Sequence, residues 1–234
     1  MLNIAIILFV IICAFIFWRF LFFFRNPDRK INSNDNHIIS PADGFVIYIQ
    51  RVEPRSEILS VKKGNKILLD DLMFIDDNSL LDKPGWLIGI SMTPFDIHYN
   101  RTPIRGSILK IRHDFPTKIR KNKDMFPGLQ NLFFNLKPYH KGCEYLIRNE
   151  SASFVIKNEN LSVYVTQIAD NWIKKIVTYK DKTEVSQGEV FGLIRMGSQV
   201  DLFIPDEKDR IEVVVEERKH VKAGVSILAM INKP

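Results

Sequence analysis

An apolar segment near the N-terminus constrains this chain more than any other feature. Residues 4–18 form an unbroken apolar run, Arg19 interrupts it, and residues 20–24 continue it. Together they reach about the 20 residues that span a bilayer's hydrocarbon core as a helix. A cleaved secretory signal is the alternative, but no basic region precedes the run and no small-residue cleavage site follows it. We therefore expect a transmembrane anchor over residues 1–25.

The basic residues around this segment predict its orientation. Arg25, Arg29 and Lys30 follow the apolar run, and no Lys or Arg precedes it. Because cytoplasmic flanks carry an excess of Lys and Arg, we expect a single-pass membrane protein whose body faces the cytoplasm. The net charge of +6 indicates an anionic partner, and beside an anchor a lipid surface is a better candidate than nucleic acid.

Residues 26–234 are predicted to form one β-rich domain. Short segments rich in Val, Ile and Phe recur between turn residues, and no long helical period occurs after residue 30. The predicted strands are 45–52, 86–92, 104–111, 153–157, 161–168, 173–179, 190–196 and 211–215.

Two further features refine this fold prediction. The phrases Val185-x-x-Gly188 and Val221-x-x-Gly224 favour a barrel-sandwich-hybrid-like C-terminal portion, although V-x-x-G is also a common strand-turn-strand phrase. Residues 114–142 break the β pattern with a basic run followed by aromatic residues. This insert is either a segment at a lipid surface or a surface insertion with its own apolar cluster.

Standard catalytic and metal motifs do not occur in the sequence. Cys13 and Cys143 are the only cysteines, and the five histidines show no metal-ligand spacing, so we predict neither a disulfide framework nor a metal site. Short polar clusters remain, with an Asp, a His and a Ser among them, which is the minimum set for activating a hydroxyl nucleophile. Each of these residues alone is also explained as a turn, capping or structural residue.

Five phrases in register carry a resemblance to a known family. They are Phe23-Phe24-Arg25-Asn26-Pro27-Asp28-Arg29, Ile39-Ser40-Pro41-Ala42-Asp43-Gly44, Met92-Thr93-Pro94-Phe95-Asp96-Ile97-His98-Tyr99-Asn100-Arg101, Val165-Thr166-Gln167-Ile168-Ala169 and Gly192-Leu193-Ile194-Arg195-Met196-Gly197-Ser198-Gln199-Val200-Asp201. With these phrases the chain resembles the phosphatidylserine decarboxylase family in its short, single-anchor form.

The resemblance implies a self-processing enzyme. The backbone would break between Gly197 and Ser198, giving a large chain, 1–197, and a small chain, 198–234, whose first residue becomes a covalent pyruvoyl group. That group would serve as the cofactor, because a carbonyl that reacts with the substrate amine can accept the electrons released with carbon dioxide. The implied reaction converts phosphatidylserine, or a related serine-headgroup lipid, to phosphatidylethanolamine. A homo-oligomer is compatible with this assignment.

Matching positions imply roles for other residues. Asp43 would orient or charge-balance the base during self-cleavage, and His98 would act as a general acid or base. Arg101 stands where longer members of the family have a second histidine, and it could instead bind the carboxylate or phosphate of the substrate. Lys174 and Lys175 replace a pair of arginines and would attract the phosphodiester.

Other classes of protein remain as alternatives. The main one is a non-catalytic, membrane-anchored barrel-sandwich adaptor, although such adaptors usually contain a long coiled coil and no heptad run occurs here. A biotin or lipoyl carrier modified at Lys222 and a membrane-tethered metallopeptidase fit the sequence less well.

Overall fold

The computed structural model shows a mainly β protein that follows an N-terminal helix. It describes residues 2–56, 59–62, 65–67, 69–73, 82–117, 122–171, 176–179, 183–195 and 198–232. The predicted fold class is confirmed in its main features: antiparallel sheets dominate, and one apolar helix precedes them. The barrel-sandwich-like portion stays a prediction.

The N-terminal helix has the length and composition of a membrane span. Helix α1, Leu2–Ile16, continues as a π-helix, Phe17–Phe22, and 20 residues of the pair are long and apolar enough to cross a bilayer. No residue of that span is buried against the rest of the protein. Pro27 follows shortly, and its missing N–H and fixed φ disfavour continuation of the helix.

An eight-stranded antiparallel sheet forms the centre of the body. Its strand order is β11-β7-β8-β9-β13-β5-β2-β15. These strands are β2 (Gly44–Val52), β5 (Gly85–Met92), β7 (Gly106–Asp114), β8 (Ser151–Lys157), β9 (Ser162–Ala169), β11 (Glu184–Val185), β13 (Ser198–Pro205) and β15 (His220–Val221).

Strand β13 is an inner strand of this sheet and is buried along its whole length. Side chains alternate between the faces of a strand, so Val200 and Leu202 pack in one apolar core while Phe203 packs in the other. Burial of each such side chain contributes roughly 1.5–3 kcal/mol. Ser198 begins β13 on the face of Val200, and this places it at the end of the first core.

Among the described residues, three smaller sheets and three short helices complete the body. The sheets have the orders β1-β16-β14, β10-β12-β6 and β3-β4. Their strands are β1 (His37–Ile39), β3 (Leu59–Lys62), β4 (Asn65–Ile67), β6 (Tyr99–Arg101), β10 (Ile176–Thr178), β12 (Val190–Ile194), β14 (Ile211–Val213) and β16 (Ile227–Ile231). The helices are α2 (Leu69–Met73), α3 (Phe126–Phe133) and α4 (Tyr145–Arg148).

The two V-x-x-G phrases form similar turns. Gly188 and Gly224 have φ angles of +78° and +76°, which side chains rarely adopt. A Cβ on either glycine would also lie 2.8 Å from a methyl group of Ile31. The segment after the N-terminal helix therefore packs against both turns, and glycine is required at each.

The 114–142 insert is more integrated than the sequence indicates. Helix α3 buries Leu132 in the second core of the sheet, where Met125 and Tyr139 also pack. The alternative of a surface insertion with a separate apolar cluster is therefore wrong for these residues. Residues 118–121, which hold part of the basic run, lie outside the described residues.

Candidate active site

Ser198 lies buried at the first position of strand β13. It pairs with Met92 of β5 and with Ala169 of β9, and only 1% of its surface is exposed. Its Oγ donates a hydrogen bond to Met92 Sδ at 3.0 Å. A thioether is a weak acceptor, so this contact holds the hydroxyl in place without activating it. Gly197, the preceding residue, lies outside the described residues.

Two buried amides lie on the same face of the sheet as Ser198. Gln167 is opposite Val200 on β9, and its Nε2 donates to Asn100 Oδ1 at 2.6 Å. Asn100 Nδ2 in turn lies 3.9 Å from Met92 Sδ, the atom that Ser198 contacts. Gln167 Oε1 is buried and has no partner among the described residues. A buried acceptor without a partner is costly, so this oxygen is an unused hydrogen-bond acceptor in the cluster.

His98 is fully buried in the loop between β5 and β6. Its Nδ1 lies 3.0 Å from the carbonyl oxygen of Asp96, which can only accept, so Nδ1 carries the proton. Nε2 is then the free acceptor, and it has no partner among the described residues. Burial lowers the pKa of His98 to about 4, and the imidazole is neutral at pH 7. A neutral imidazole with an unused lone pair is the form that a general base requires.

The surroundings of His98 link it to the N-terminal helix and to the strand before Ser198. The ring of Phe23, immediately after the N-terminal helix, lies 4.1 Å from the imidazole ring. The backbone oxygen of His98 accepts a 3.1 Å bond from the N–H of Ile194, four residues before Ser198. Neither ring nitrogen of His98 bonds to Ser198 Oγ in this arrangement.

Asp43 forms an ion pair with Arg29. The two carboxylate oxygens accept bonds from the two terminal guanidinium nitrogens at 2.6 and 2.7 Å, and the N–H of Ala223 adds a third bond at 2.7 Å. Asp43 therefore contacts an arginine and a backbone amide, and it makes no hydrogen bond to His98.

Arg101 belongs to a cationic cluster at the C-terminal end of the N-terminal helix. Its guanidinium donates to the carbonyl oxygen of Gly188 and to Asn26 Oδ1 at 3.0 and 2.9 Å. Arg25 and Arg101 are both close enough to Arg29 and Asp43 to interact electrostatically. The sequence analysis assigned no ligand to Arg25 or Arg29. The predicted binding residues Lys174 and Lys175 lie outside the described residues.

The pair formed by His220 and Asp96 was not predicted from the sequence. His220 Nε2 lies 2.7 Å from Asp96 Oδ1, while Asp96 Oδ2 accepts the N–H of Thr93 at 2.7 Å. His220 is on β15, more than 120 positions from Asp96 along the chain, and no local pattern marks it as a partner. The pair joins the segment after Ser198 to the loop that carries His98.

The comparison with known protein families gives one match that covers most of the chain. The sequence pattern of the phosphatidylserine decarboxylase family matches residues 16–229. The chain belongs to this family. The recognition made from the five phrases is thereby confirmed, and membership of the phosphatidylserine decarboxylase family makes the protein an enzyme, a lyase, rather than an adaptor or a carrier.

Curated relatives support the family assignment along nearly the whole chain. An archaetidylserine decarboxylase proenzyme of Methanothermobacter thermautotrophicus is 32% identical over 90% of this chain and 79% of its own length. One of Methanocaldococcus jannaschii is 31% identical over 94% of this chain and 93% of its own length. A phosphatidylserine decarboxylase proenzyme of Amoebophilus asiaticus is 31% identical over 90% of this chain and 75% of its own length.

The family assignment gives the contacts around Ser198 a chemical context. Asn100 and Gln167 lie within the family phrases, but the sequence analysis gave them no role. A polar residue on an otherwise apolar face of a strand, as Gln167 is in β9, was the available signal. The contact between Asn100 and Met92 depends on the relative position of β6 and β5. The periodicity of the sequence does not predict that position.

Proposed function

We propose that this protein decarboxylates phosphatidylserine, or a closely related serine-headgroup phospholipid, to the ethanolamine lipid, after cleaving itself between Gly197 and Ser198. The observation that carries the proposal is the position of Ser198, buried at the start of an inner strand, on the face of the sheet where Gln167 Oε1 has no partner among the described residues. A serine that served only as a turn or cap would lie at the surface and bond to the local backbone.

The cleavage needs a nucleophile, an unobstructed carbonyl and a base. Ser198 Oγ attacks the Gly197 carbonyl carbon, its proton passes to a base, and an ester replaces the peptide bond. Glycine at position 197 has no side chain to obstruct the approach. Removal of the Ser198 Cα proton then expels the Gly197 carboxylate, and the dehydroalanine that remains hydrolyses with loss of ammonia.

His98 is the residue we assign as the base. Its pKa of about 4 keeps Nε2 unprotonated at neutral pH, and Nε2 has no competing partner among the described residues. Arg101 is unsuitable because a guanidinium stays protonated. A rotation of the Ser198 hydroxyl away from Met92 Sδ would make its proton available to a base, and the weakness of that acceptor makes the rotation inexpensive.

The cofactor we assign is the pyruvoyl group derived from Ser198, and the site fits it. The group keeps the carbon skeleton of serine, so it needs no more room than Ser198 occupies beside Ala169 and Met92. Its carbonyl would react with the substrate amine and accept the electron pair left by carbon dioxide. Gln167 Oε1, an acceptor without a partner in the described part of the chain, is suited to hold that amine in place.

The cationic cluster supports recognition of the headgroup. Arg101, with Lys174 and Lys175, would bind the phosphodiester, and Arg25 and Arg29 would add positive potential near the end of the anchor. Guanidinium groups bind phosphate and carboxylate oxygens in bidentate geometry. Burial of the substrate carboxylate near Phe23 and His98 would favour its loss as neutral carbon dioxide, because an apolar environment destabilises the anion.

The proposed location is a membrane, with the N-terminal helix as a single span and the body on the cytoplasmic side. The basic residues after the helix support this orientation. The proposed domains are the anchor, 1–25, and one catalytic domain, 26–234, built from both chains of the same precursor. Strand β13 of the small chain lies between β5 and β9 of the large chain, so we expect the two chains to stay together after cleavage.

The reaction is tested with purified protein in detergent micelles that contain phosphatidylserine. Release of carbon dioxide and formation of phosphatidylethanolamine should be absent with Ser198→Ala, which is the matched control. Parallel assays with archaetidylserine would separate the two substrates named among the relatives. A processed protein that turns over neither lipid would contradict the proposed substrate class and leave self-cleavage standing.

A further inference from the structure

Helix α3 exposes apolar side chains on its outer face. Phe126 and Phe133 are seven positions apart, so they lie on one face of the helix, and they are 62% and 64% exposed. Gly128 and Leu132, on the other side, are buried. A surface helix of a soluble domain usually has its polar residues outward, so this face has the composition of a contact surface.

The residues after α3 extend the exposed apolar surface. Phe134 is 70% exposed and Leu136 is 54% exposed. Lys137 follows them, with its ammonium group close to Glu217 and to the ring of Tyr139. Aromatic side chains bordered by a lysine are typical of segments at the boundary between lipid headgroups and acyl chains.

A chain of contacts joins this surface to the end of the N-terminal helix. The ring of Phe133 lies 6.3 Å from that of Phe45, and Phe45 lies 4.8 Å from the ring of His220. His220 bonds to Asp96, and the adjacent residue, Phe95, is 69% exposed. Arg25, three residues beyond the helix, donates a hydrogen bond to the carbonyl oxygen of Phe95.

We propose that the exposed apolar residues of α3, its following segment and the 93–96 loop form a membrane-contacting surface that enters the lipid bilayer beside the N-terminal helix. The members of this surface are Phe95, Phe126, Phe133, Phe134 and Leu136. A bilayer is the occupant because the surface is continuous, through Phe95 and Arg25, with the helix that spans it. The inference rests on the proposed span, and it does not depend on the proposed chemistry.

The surface explains how a lipid headgroup reaches a buried serine. Phe95 lies three residues after Met92, whose sulfur contacts Ser198. A loop that enters the bilayer at Phe95 would therefore bring Ser198 close to the level of the headgroups. The acyl chains of the substrate then stay in the membrane, and only the polar headgroup has to move towards the site.

The surface is tested by fluorescence quenching on the full chain in nanodiscs of phosphatidylcholine and phosphatidylglycerol. A fluorophore is attached to Leu136→Cys, or in a second protein to Phe134→Cys, in a Cys13→Ser background. Cys143 does not compete for the label, because burial removes it from solvent and raises the pKa of its thiol to about 12. The matched control is Leu109→Cys, an exposed aliphatic position on β7.

Lipids brominated near the headgroup end of the acyl chain should quench the labels at 134 and 136 by more than half and leave the label at 109 unchanged. The membrane span is tested separately in the protein that keeps Cys13. A label on Cys13 should be quenched by lipids brominated near the terminal methyl of the acyl chain. Quenching at Cys13 without quenching at 134 or 136 would overturn the surface and keep the span. A blue shift at 136 without lipid quenching would show that a protein, such as a second copy, covers the surface, and would also overturn the proposal.

Discussion

Arg29 donates hydrogen bonds to both carboxylate oxygens of Asp43, at 2.6 and 2.7 Å. The side chains are 9% and 7% exposed, so the pair is nearly buried. Arg29 also donates to the carbonyl oxygen of Ala223, and the N–H of Ala223 donates to Asp43. The two residues therefore fasten three segments together: the stretch after the helix, the loop before β2, and the turn after β15.

Substitutions at Asp43 and Arg29 can distinguish a chemical role of Asp43 from a structural one. We expect Asp43→Asn and Arg29→Met each to lower the free energy of unfolding by about 3–5 kcal/mol, because each leaves a buried partner without its counter-charge. If the carboxylate also assists self-cleavage, Asp43→Asn should abolish processing while Arg29→Met still yields two chains. Gel analysis of newly made protein measures this. Equal slowing in both variants would assign Asp43 a purely structural role.

His98 is expected to control the rate of self-cleavage. His98→Ala should slow processing by about 10²–10⁴-fold, the usual contribution of a general base. His37→Ala, at a histidine on β1 remote from Ser198 in the sheet order, is the control and should process normally. The rate is followed by the appearance of the small chain after cell-free synthesis.

The pH dependence of cleavage gives a second test of His98. Because burial lowers its pKa to about 4, the base stays unprotonated as the pH falls from 7, and the rate of cleavage should decline only near pH 4. An inflection close to 6.5, the value of an ordinary histidine, would show that a solvent-exposed histidine acts instead.

Asp201 should make the stability of the fold depend on pH. It is fully buried on the face of β13 opposite Ser198, where Tyr48 and Gln199 each donate to its Oδ1 at 2.6 Å, and burial raises its pKa to about 7. The folded protein therefore holds a proton that the unfolded chain releases near pH 4. The stabilisation from this group is complete below that pH and is lost as the pH rises through 7.

Asp201→Asn removes this dependence. In a Ser198→Ala background, which keeps one chain, we expect the asparagine variant to be more stable at pH 8 by about 2–4 kcal/mol, with a smaller difference at pH 5. Denaturant midpoints at the two pH values measure this, with the exposed Asp209→Asn as control. A difference that is the same at both values would contradict the assigned pKa.

The strands were the most predictable part of the fold. The segments predicted at 45–52, 86–92, 153–157 and 161–168 correspond to β2, β5, β8 and β9, because each is a run of β-branched and aromatic residues bounded by turn residues. Strand β13 was not predicted. Its polar residues Gln199 and Asp201 interrupt the apolar pattern, and their partners Tyr48 and Tyr145 are more than 50 positions away.

The site residues named from the sequence stay a prediction, and their contacts could not be predicted. The family phrases pointed to Ser198, His98, Asp43 and Arg101, and all four are buried or half-buried. Which partner each one takes depends on segments that have no regular pattern. Arg29 reaches Asp43 from an irregular stretch, and its position could not be derived from spacing.

The intact mass of the protein, purified in detergent and measured under denaturing conditions, tests the central claim most directly. The account predicts two chains, 1–197 and 198–234, with the smaller one blocked to N-terminal sequencing and reactive towards hydroxylamine. Ser198→Ala should give one chain and no decarboxylation. A wild-type protein that remains a single unmodified chain of 234 residues yet decarboxylates the lipid would contradict the account.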